Sequence, residues 1–204
     1  MKPTKPRRRK RPYRMDERAK ARDETRLRIV EAAVQLHEKL GPAATTVSAI
    51  AERAGVQRLT VYRHFPDDAA IFAACTAHWG GLHPPPDPAL WSALADPLAR
   101  ATAAVAAYCA YYADTRGMWR VAYRDAPLVK PIQPVLAGFD AHLAGLAETL
   151  AGGFGAKGRV AQALRATIGH ALAFSTWSDL EQRGLADREK ATLARAWLEG
   201  VCAP

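Results

Sequence analysis

The run from Thr46 to Phe65, TVSAIAERAGVQRLTVYRHF, puts Arg58, Leu59, Thr60, Tyr62 and Arg63 on the outward side of one short segment. They offer forked cations, a hydroxyl, a phenol and an apolar group. Groups of this kind hydrogen-bond base edges and phosphates and pack on thymine methyls. A second set of candidates lies at the start of the chain. Lys2, Lys5, Arg7, Arg8, Arg9, Lys10, Arg11 and Arg14 bring eight positive charges into residues 1–14 with no acid among them. The whole chain has 29 Lys+Arg against 20 Asp+Glu, a net +9, so nearly all the excess sits in this arm. A block of like charge can be a solvated tail. Beside the segment above, it reads as a contact for a polyanion, nucleic acid before membrane.

Other chemistry finds little support. The six histidines, at 37, 64, 78, 83, 142 and 170, form no i, i+4 pair, so no metal site is expected. No local signature supports Ser-His-Asp or Cys-His catalysis, and an enzyme is not expected. Gly153–Gly158 matches G-x-G-x-x-G by letter but follows a helical stretch, not a strand, so it reads as a link with no cofactor attached. Cys75, Cys109 and Cys202 are too far apart for a zinc motif and suit a reducing cytoplasm. The longest stretches without Asp, Glu, Lys or Arg that fall within one expected helix, Ala101–Ala113 and Ala166–Ser178, are 13 residues each, against the roughly 18 a membrane span needs. No apolar run follows the basic arm, so no signal peptide is expected. These readings place the protein in the cytoplasm, at the nucleoid.

The elements that must position these residues read as helices throughout. Pro3, Pro6 and Pro12 argue against a helical arm, and residues 1–24 are expected to be a disordered basic extension. Ile29, Val30, Ala33, Leu36 and Leu40 mark one apolar helix face, ended by Gly41-Pro42. Thr46 is a plausible N-cap for a second helix to Ala54, and a third covers about Gln57–Phe65. Ala51, Gly55 and Val61 supply the small contact, the left-handed turn and the β-branched plug of a helix-turn-helix. Asp67 caps a fourth helix running to about Trp79. Beyond the proline-rich 80–88, further helices are expected near 89–95, 97–115, 117–124, 132–151, 159–183 and 187–201.

Ala32-Ala33-x-x-Leu36, Gly41, Thr45-Thr46-Val47, Ile50-Ala51-x-x-Ala54-Gly55-Val56 and Val61-Tyr62-Arg63-His64-Phe65 resemble the TetR family of bacterial transcriptional regulators over residues 25–80. The resemblance implies a homodimer, a double-stranded DNA operator with two half-sites, and release on binding a small effector. It puts Ser48, Arg58, Leu59, Thr60, Tyr62 and His64 at the DNA, with Thr46 near a phosphate. Four positions depart from the family pattern. His37 stands where an aromatic is usual, Gln57 where a Ser caps the third helix, Leu59 where a small residue is common, and Asp68 where a phosphate-contacting Lys is usual.

The expected architecture is therefore all-α, with a DNA-binding domain at 25–66 and a helical-bundle effector and dimerisation domain at 67–204. In the second domain, Tyr108, Tyr112, Trp119, Tyr123, Phe139, His142, His170, Phe174 and Trp177 are expected to line a site for an apolar, ring-containing effector. On 159–183, the aliphatic stripe Val160, Leu164, Ile168 and Leu172 is separated from a mixed stripe of Ala163, Thr167, His170, Phe174 and Trp177. The aliphatic stripe, with Leu193 and Trp197, is expected to form a four-helix dimer interface. The function expected is a ligand-responsive repressor. The alternative is an effector-independent architectural DNA binder held mainly by its arm.

Overall fold

The structure is a computed structural model that describes residues 11–203, with side chains from residue 15. The expected arm residues Arg7, Arg8, Arg9 and Lys10 lie outside the described residues, and Arg11 is described in backbone only. Helix α1 covers Arg11–Leu40, so residues 11–24, expected to be disordered, are helical. Pro12 permits this because it falls in the first turn, where its missing N–H has no intrahelical partner to lose. A single 3-10 turn, Pro42–Ala44, leads to α2 (Val47–Ala54), α3 (Arg58–His64) and α4 (Asp68–Leu82). Then come α5 (Ala89–Ser92), α6 (Pro97–Asp125), α7 (Ile132–Gly152), α8 (Gly158–Leu172), α9 (Phe174–Gln182) and α10 (Asp187–Cys202). No strand occurs among the described residues, and none of their helices is long and apolar enough to cross a membrane.

The chain divides into two compact units. One holds the residues up to Leu40 together with Ala44–Gly80, and the other holds Gly41–Ala43 with the chain from Gly81 onward. In the first, α1, α2 and α3 pack around Ile29, Val30, Ala33, Val47, Ile50, Ala51, Val61 and Phe65, joined by Ile71 and Cys75 of α4. Gly55 sits at φ +66°, the left-handed turn that a Cβ would strain, and ends α2 as its spacing predicted.

The second unit is built on α6, which packs against α5, α7, α8, α9 and α10. Asp96 caps α6, accepting the Ala99 N–H at 2.8 Å. The predicted interruption near residue 116 does not occur. Gly117 stays inside α6, because the roughly 1 kcal/mol handicap of a helical glycine is small beside the burial of Tyr112, Thr115, Trp119 and Val121 around it. The predicted single helix 159–183 is instead two. Ala173, at φ −70° and ψ 137°, is extended and separates α8 from α9. Within the same unit the Ala43 N–H donates to the buried carboxylate of Asp125 at 2.9 Å, and Arg124 Nε donates to it at 2.7 Å.

Candidate nucleic-acid interface and effector cleft

Helix α3 owes its orientation to two residues. Val61 is 0% exposed and Phe65 is also buried, which pins one side of the helix in the core. The opposite side then has to face out. Arg58 and Arg63 are exposed, Leu59 is 59% exposed, Tyr62 37%, and Thr60 and His64 are half-buried. The expected DNA-facing set on α3 thus shares one outward surface. Thr46 and Ser48 are exposed at the N-terminus of α2, and Thr46 Oγ1 accepts the Ala49 N–H at 3.1 Å, so the predicted cap is formed.

The local electrostatics favour the charged form of Arg58. Arg58 Nη2 donates to the Tyr62 hydroxyl at 3.3 Å, and its guanidinium lies 5.5 Å from the ring centroid. That hydrogen bond, chiefly, raises the proton affinity of Arg58, with a smaller attraction from Asp68. Asp68 itself occupies the first turn of α4, where the helix dipole favours an acid, and Asp67 Oδ1 accepts the Ala70 N–H at 2.7 Å. Gln57 makes no side-chain cap to α3. His64 is pushed below its ordinary value of 6.5, first by burial and then by the charges of Arg26 and Arg22.

Two further residues shape this unit. The Arg26 guanidinium stands 4.2 Å over the Phe65 ring and donates to the His64 carbonyl at 3.3 Å, tying α1 to the end of α3. Arg26 lies three residues before Ile29 and seven before Ala33, a spacing that would have placed it on that face. His37, the polar departure in the core, is buried with Nδ1 3.3 Å from Cys75 Sγ and its ring 6.0 Å from Phe72. Burial pushes the Cys75 thiol up to about 11, so it remains protonated.

In the second unit the expected aromatic cluster does assemble. Tyr108, Tyr112, Trp119, Tyr123, Phe139, Phe174 and Trp177 form a continuous set of ring contacts, the closest being Trp119–Phe139 at 4.3 Å. Its polar handles are taken from within. The Tyr108 hydroxyl is 2.7 Å from His142 Nε2, and Tyr112 OH donates to the Leu172 carbonyl at 2.8 Å. Tyr123 OH donates to Asp140, and Trp177 Nε1 to Asp187 Oδ1 at 3.0 Å. Buried Lys190 completes that corner, 2.7 Å from the same Asp187 oxygen and 4.4 Å from the Trp177 centroid. His170 does not join the cluster. It is exposed on α8, its ring 5.8 Å from that of Trp197.

Open space lies on the flanks of the cluster. One cleft of about 500 Å³ is lined by Trp91, Arg100, His142, Leu146, Thr149 and Leu150 with their neighbours. A second, about 370 Å³, involves Arg120, Tyr123, Phe174 and Asp179. Of the nine expected effector residues, His142, Tyr123 and Phe174 border these clefts, and the rest fill the packed centre or lie elsewhere. Trp91 and Arg100 were not anticipated. A four-residue helix and a lone cation near a helix start carry no periodicity that would single them out.

The interface stripe needs correction. Leu164, Ile168 and Leu172 are each 0% exposed, already packed inside the chain where α8 meets α6, α7 and α10. Val160 is 44% exposed, while Leu193 and Trp197 are half-buried. The most apolar stripe of α8 is the one that the protomer's own core consumes. Ala163, Thr167 and His170 stay toward the surface. Phe174 and Trp177 seemed to continue that stripe, but the break at Ala173 resets the phase and turns both inward.

Residues 29–75 match the family profile of bacterial regulatory proteins, tetR family. No curated protein matches the chain. Among solved structures, a TetR-like transcriptional regulator from Rhodococcus sp. RHA1 is similar at 19% identity and a TM-score of 0.56, over 88% of this chain and 97% of that one. NalD of Pseudomonas aeruginosa, the secondary repressor of the MexAB-OprM multidrug efflux pump, aligns at 22% identity and 0.54, over 89% and 95%. The fatty acid degradation regulator FadR of Bacillus halodurans aligns at 18% identity and 0.56, over 85% and 93%. At these identities the likeness is one of fold.

Proposed function

We propose that this chain, whose residues 29–75 match the family profile of bacterial regulatory proteins, tetR family, is a DNA-binding regulator of that kind: a dimeric repressor released from its operator by a small molecule. The observation that carries the DNA-binding part is α3. Burial of Val61 and Phe65 leaves Arg58, Leu59, Thr60, Tyr62 and Arg63 on one exposed surface next to the capped start of α2. A helix so presented fits the major groove, and Arg58 and Thr60 read bases while Tyr62 and Arg63 hold phosphates. Thr46, Ser48 and His64 flank the same surface. The basic arm, Arg7 to Arg11 included, adds affinity of low sequence specificity.

Two such helices must lie about 34 Å apart to enter successive major grooves, which requires a second copy. The dimer face combines half-exposed Leu193 and Trp197 of α10 with Val160, Ala163, Thr167 and His170 of α8. The effector reading rests on the clefts beside the aromatic cluster. It is supported by two proteins of similar fold, one a repressor of a multidrug efflux pump and one a fatty acid degradation regulator. The test is selection of binding sites from random DNA, followed by mobility shifts. A two-fold symmetric site bound by a dimer is expected. Binding with no sequence preference would leave only the architectural role.

A further inference from the structure

We propose that the cleft between α5, the start of α6 and α7 takes an apolar molecule bearing a single carboxylate, with Arg100 as its anion contact. The inference rests on the effector reading above and names its chemistry. Most of the wall is apolar, with Trp91, Leu146 and Leu150 prominent. Buried Trp91 lies 6.4 Å from the Tyr108 ring, so this wall is backed by the aromatic cluster. The volume, about 500 Å³, is in the usual range for a small-molecule site.

The polar groups are few and already oriented. Arg100 Nε and Nη2 donate to the Leu94 carbonyl at 2.9 and 2.6 Å, and Nη2 also reaches the Ala95 carbonyl. These bonds fix the plane of the guanidinium while neutralising none of its charge. No carboxylate among the described residues forms an ion pair with it. Gly153 leaves room for the remaining nitrogen, since a Cβ there would stand 3.2 Å from Nη1. His142 is held from the other side by the Tyr108 hydroxyl on Nε2, which leaves its Nδ1 edge for a ligand oxygen. One fixed cation and one imidazole beside an apolar wall match one carboxylate with an apolar tail. They do not match a phosphate ester, whose second charge would go unpaired.

The probes are decanoate and decan-1-ol, which share a tail and differ in charge. Their affinities are measured by calorimetry at about pH 8 for the wild type, Arg100→Gln and Gly145→Phe. A Cβ at Gly145, on the cleft wall, meets nothing within 4 Å, so the Phe ring is attached without a backbone clash and occupies the cleft. The wild type is expected to bind decanoate about tenfold or more tighter than the alcohol, as one charge-assisted pair provides. Arg100→Gln should erase that difference and leave the alcohol unchanged. Gly145→Phe should weaken both by about tenfold. Equal affinity of the wild type for the two probes, or full binding by Gly145→Phe, would overturn the assignment. Should Arg100→Gln fail to fold, Gly145→Phe decides alone. Operator release by some other compound, unaffected by either substitution, would also overturn the assignment while leaving the effector reading intact. A complete absence of operator release by small molecules would remove the effector reading, and direct decanoate binding would still decide the cleft.

Discussion

The Tyr112 hydroxyl donates to the Leu172 carbonyl at 2.8 Å, across 60 residues of chain. Leu172 is the last residue of α8, and the extended Ala173 leaves its carbonyl outside any regular helical ladder. The bond is buried, so the hydroxyl satisfies a carbonyl that the end of the helix leaves without an intrahelical partner. Burial of Tyr112 pushes its phenol well above the usual range, which keeps the proton on the donor at every ordinary pH. A tyrosine expected to orient a ligand thus secures a change of helix direction.

Tyr112→Phe removes that donor and retains the ring. The orphaned carbonyl should destabilise the protein by about 1–3 kcal/mol. At this chain length that lowers the thermal midpoint by about 2–4 °C per kcal/mol, read by differential scanning calorimetry. An unchanged midpoint would show that the break needs no hydroxyl.

Arg58→Ala should weaken specific binding by about 1–3 kcal/mol and relax the preference at one base position per half-site. Tyr62→Phe should weaken operator and random DNA alike, since it removes a hydrogen bond to the DNA backbone. Mobility shifts on both sequences separate the two effects. Equal loss on both by Arg58→Ala removes the base-reading role.

Deleting residues 2–10 leaves the start of α1 in place and removes six positive charges of the arm. The logarithmic dependence of affinity on salt should flatten by about 0.9 for each phosphate that the arm neutralises in the intact protein. Titrations at several salt concentrations measure this slope directly, and a slope equal to that of the intact chain would mean that the arm touches no phosphate.

Leu193→Glu combined with Trp197→Glu should yield a folded monomer by sedimentation, because both side chains are only half-buried in the protomer. Leu164→Glu should instead unfold the protein, since it puts an unpaired charge at a fully buried position. A dimer that survives the α10 double substitution would place the interface on another face.

His64 should titrate below 6.5, the direction set by burial and then by Arg26 and Arg22. Its neutral form is favoured in the folded state, so the stability it contributes is present above the unfolded value and is lost as pH falls through the lower folded value. NMR titration of the imidazole resonances checks this. A midpoint above 6.5 would mean that a nearby acid outweighs burial and the two arginines.

Much of the first unit was legible from residue types alone. Thr46 as cap, Gly55 as left-handed turn, Val61 as plug and Asp67 as the cap of α4 each act through neighbours within four residues or through one short turn, so their spacing contains the answer. The outward face of α3 followed once Val61 and Phe65 were taken as inward. The basic arm was legible as charge, although the reach of α1 back to Arg11 was not, because Pro12 forbids a helix interior and permits a first turn. His37 read as a flaw until Cys75, 38 residues away, proved to be its partner.

The second unit shows where such reading ends. Periodicity identified the aliphatic stripe of α8, but it cannot say whether a stripe packs within a chain or between two. Only the placement of α6, α7 and α10 around Leu164, Ile168 and Leu172 decided that. No glycine or proline marks Ala173, so the break that turns Phe174 and Trp177 inward was invisible to local rules. It is stabilised by the distant Tyr112 hydroxyl. Seven of the expected aromatics come together while His170 stays outside, yet a group of rings can pack solid or enclose space, and the packing of α5, α6 and α7 placed the open volume beside the rings, next to Arg100. Short-range chemistry is written in spacing, whereas the partners of a helix face are set by which elements the chain brings to it.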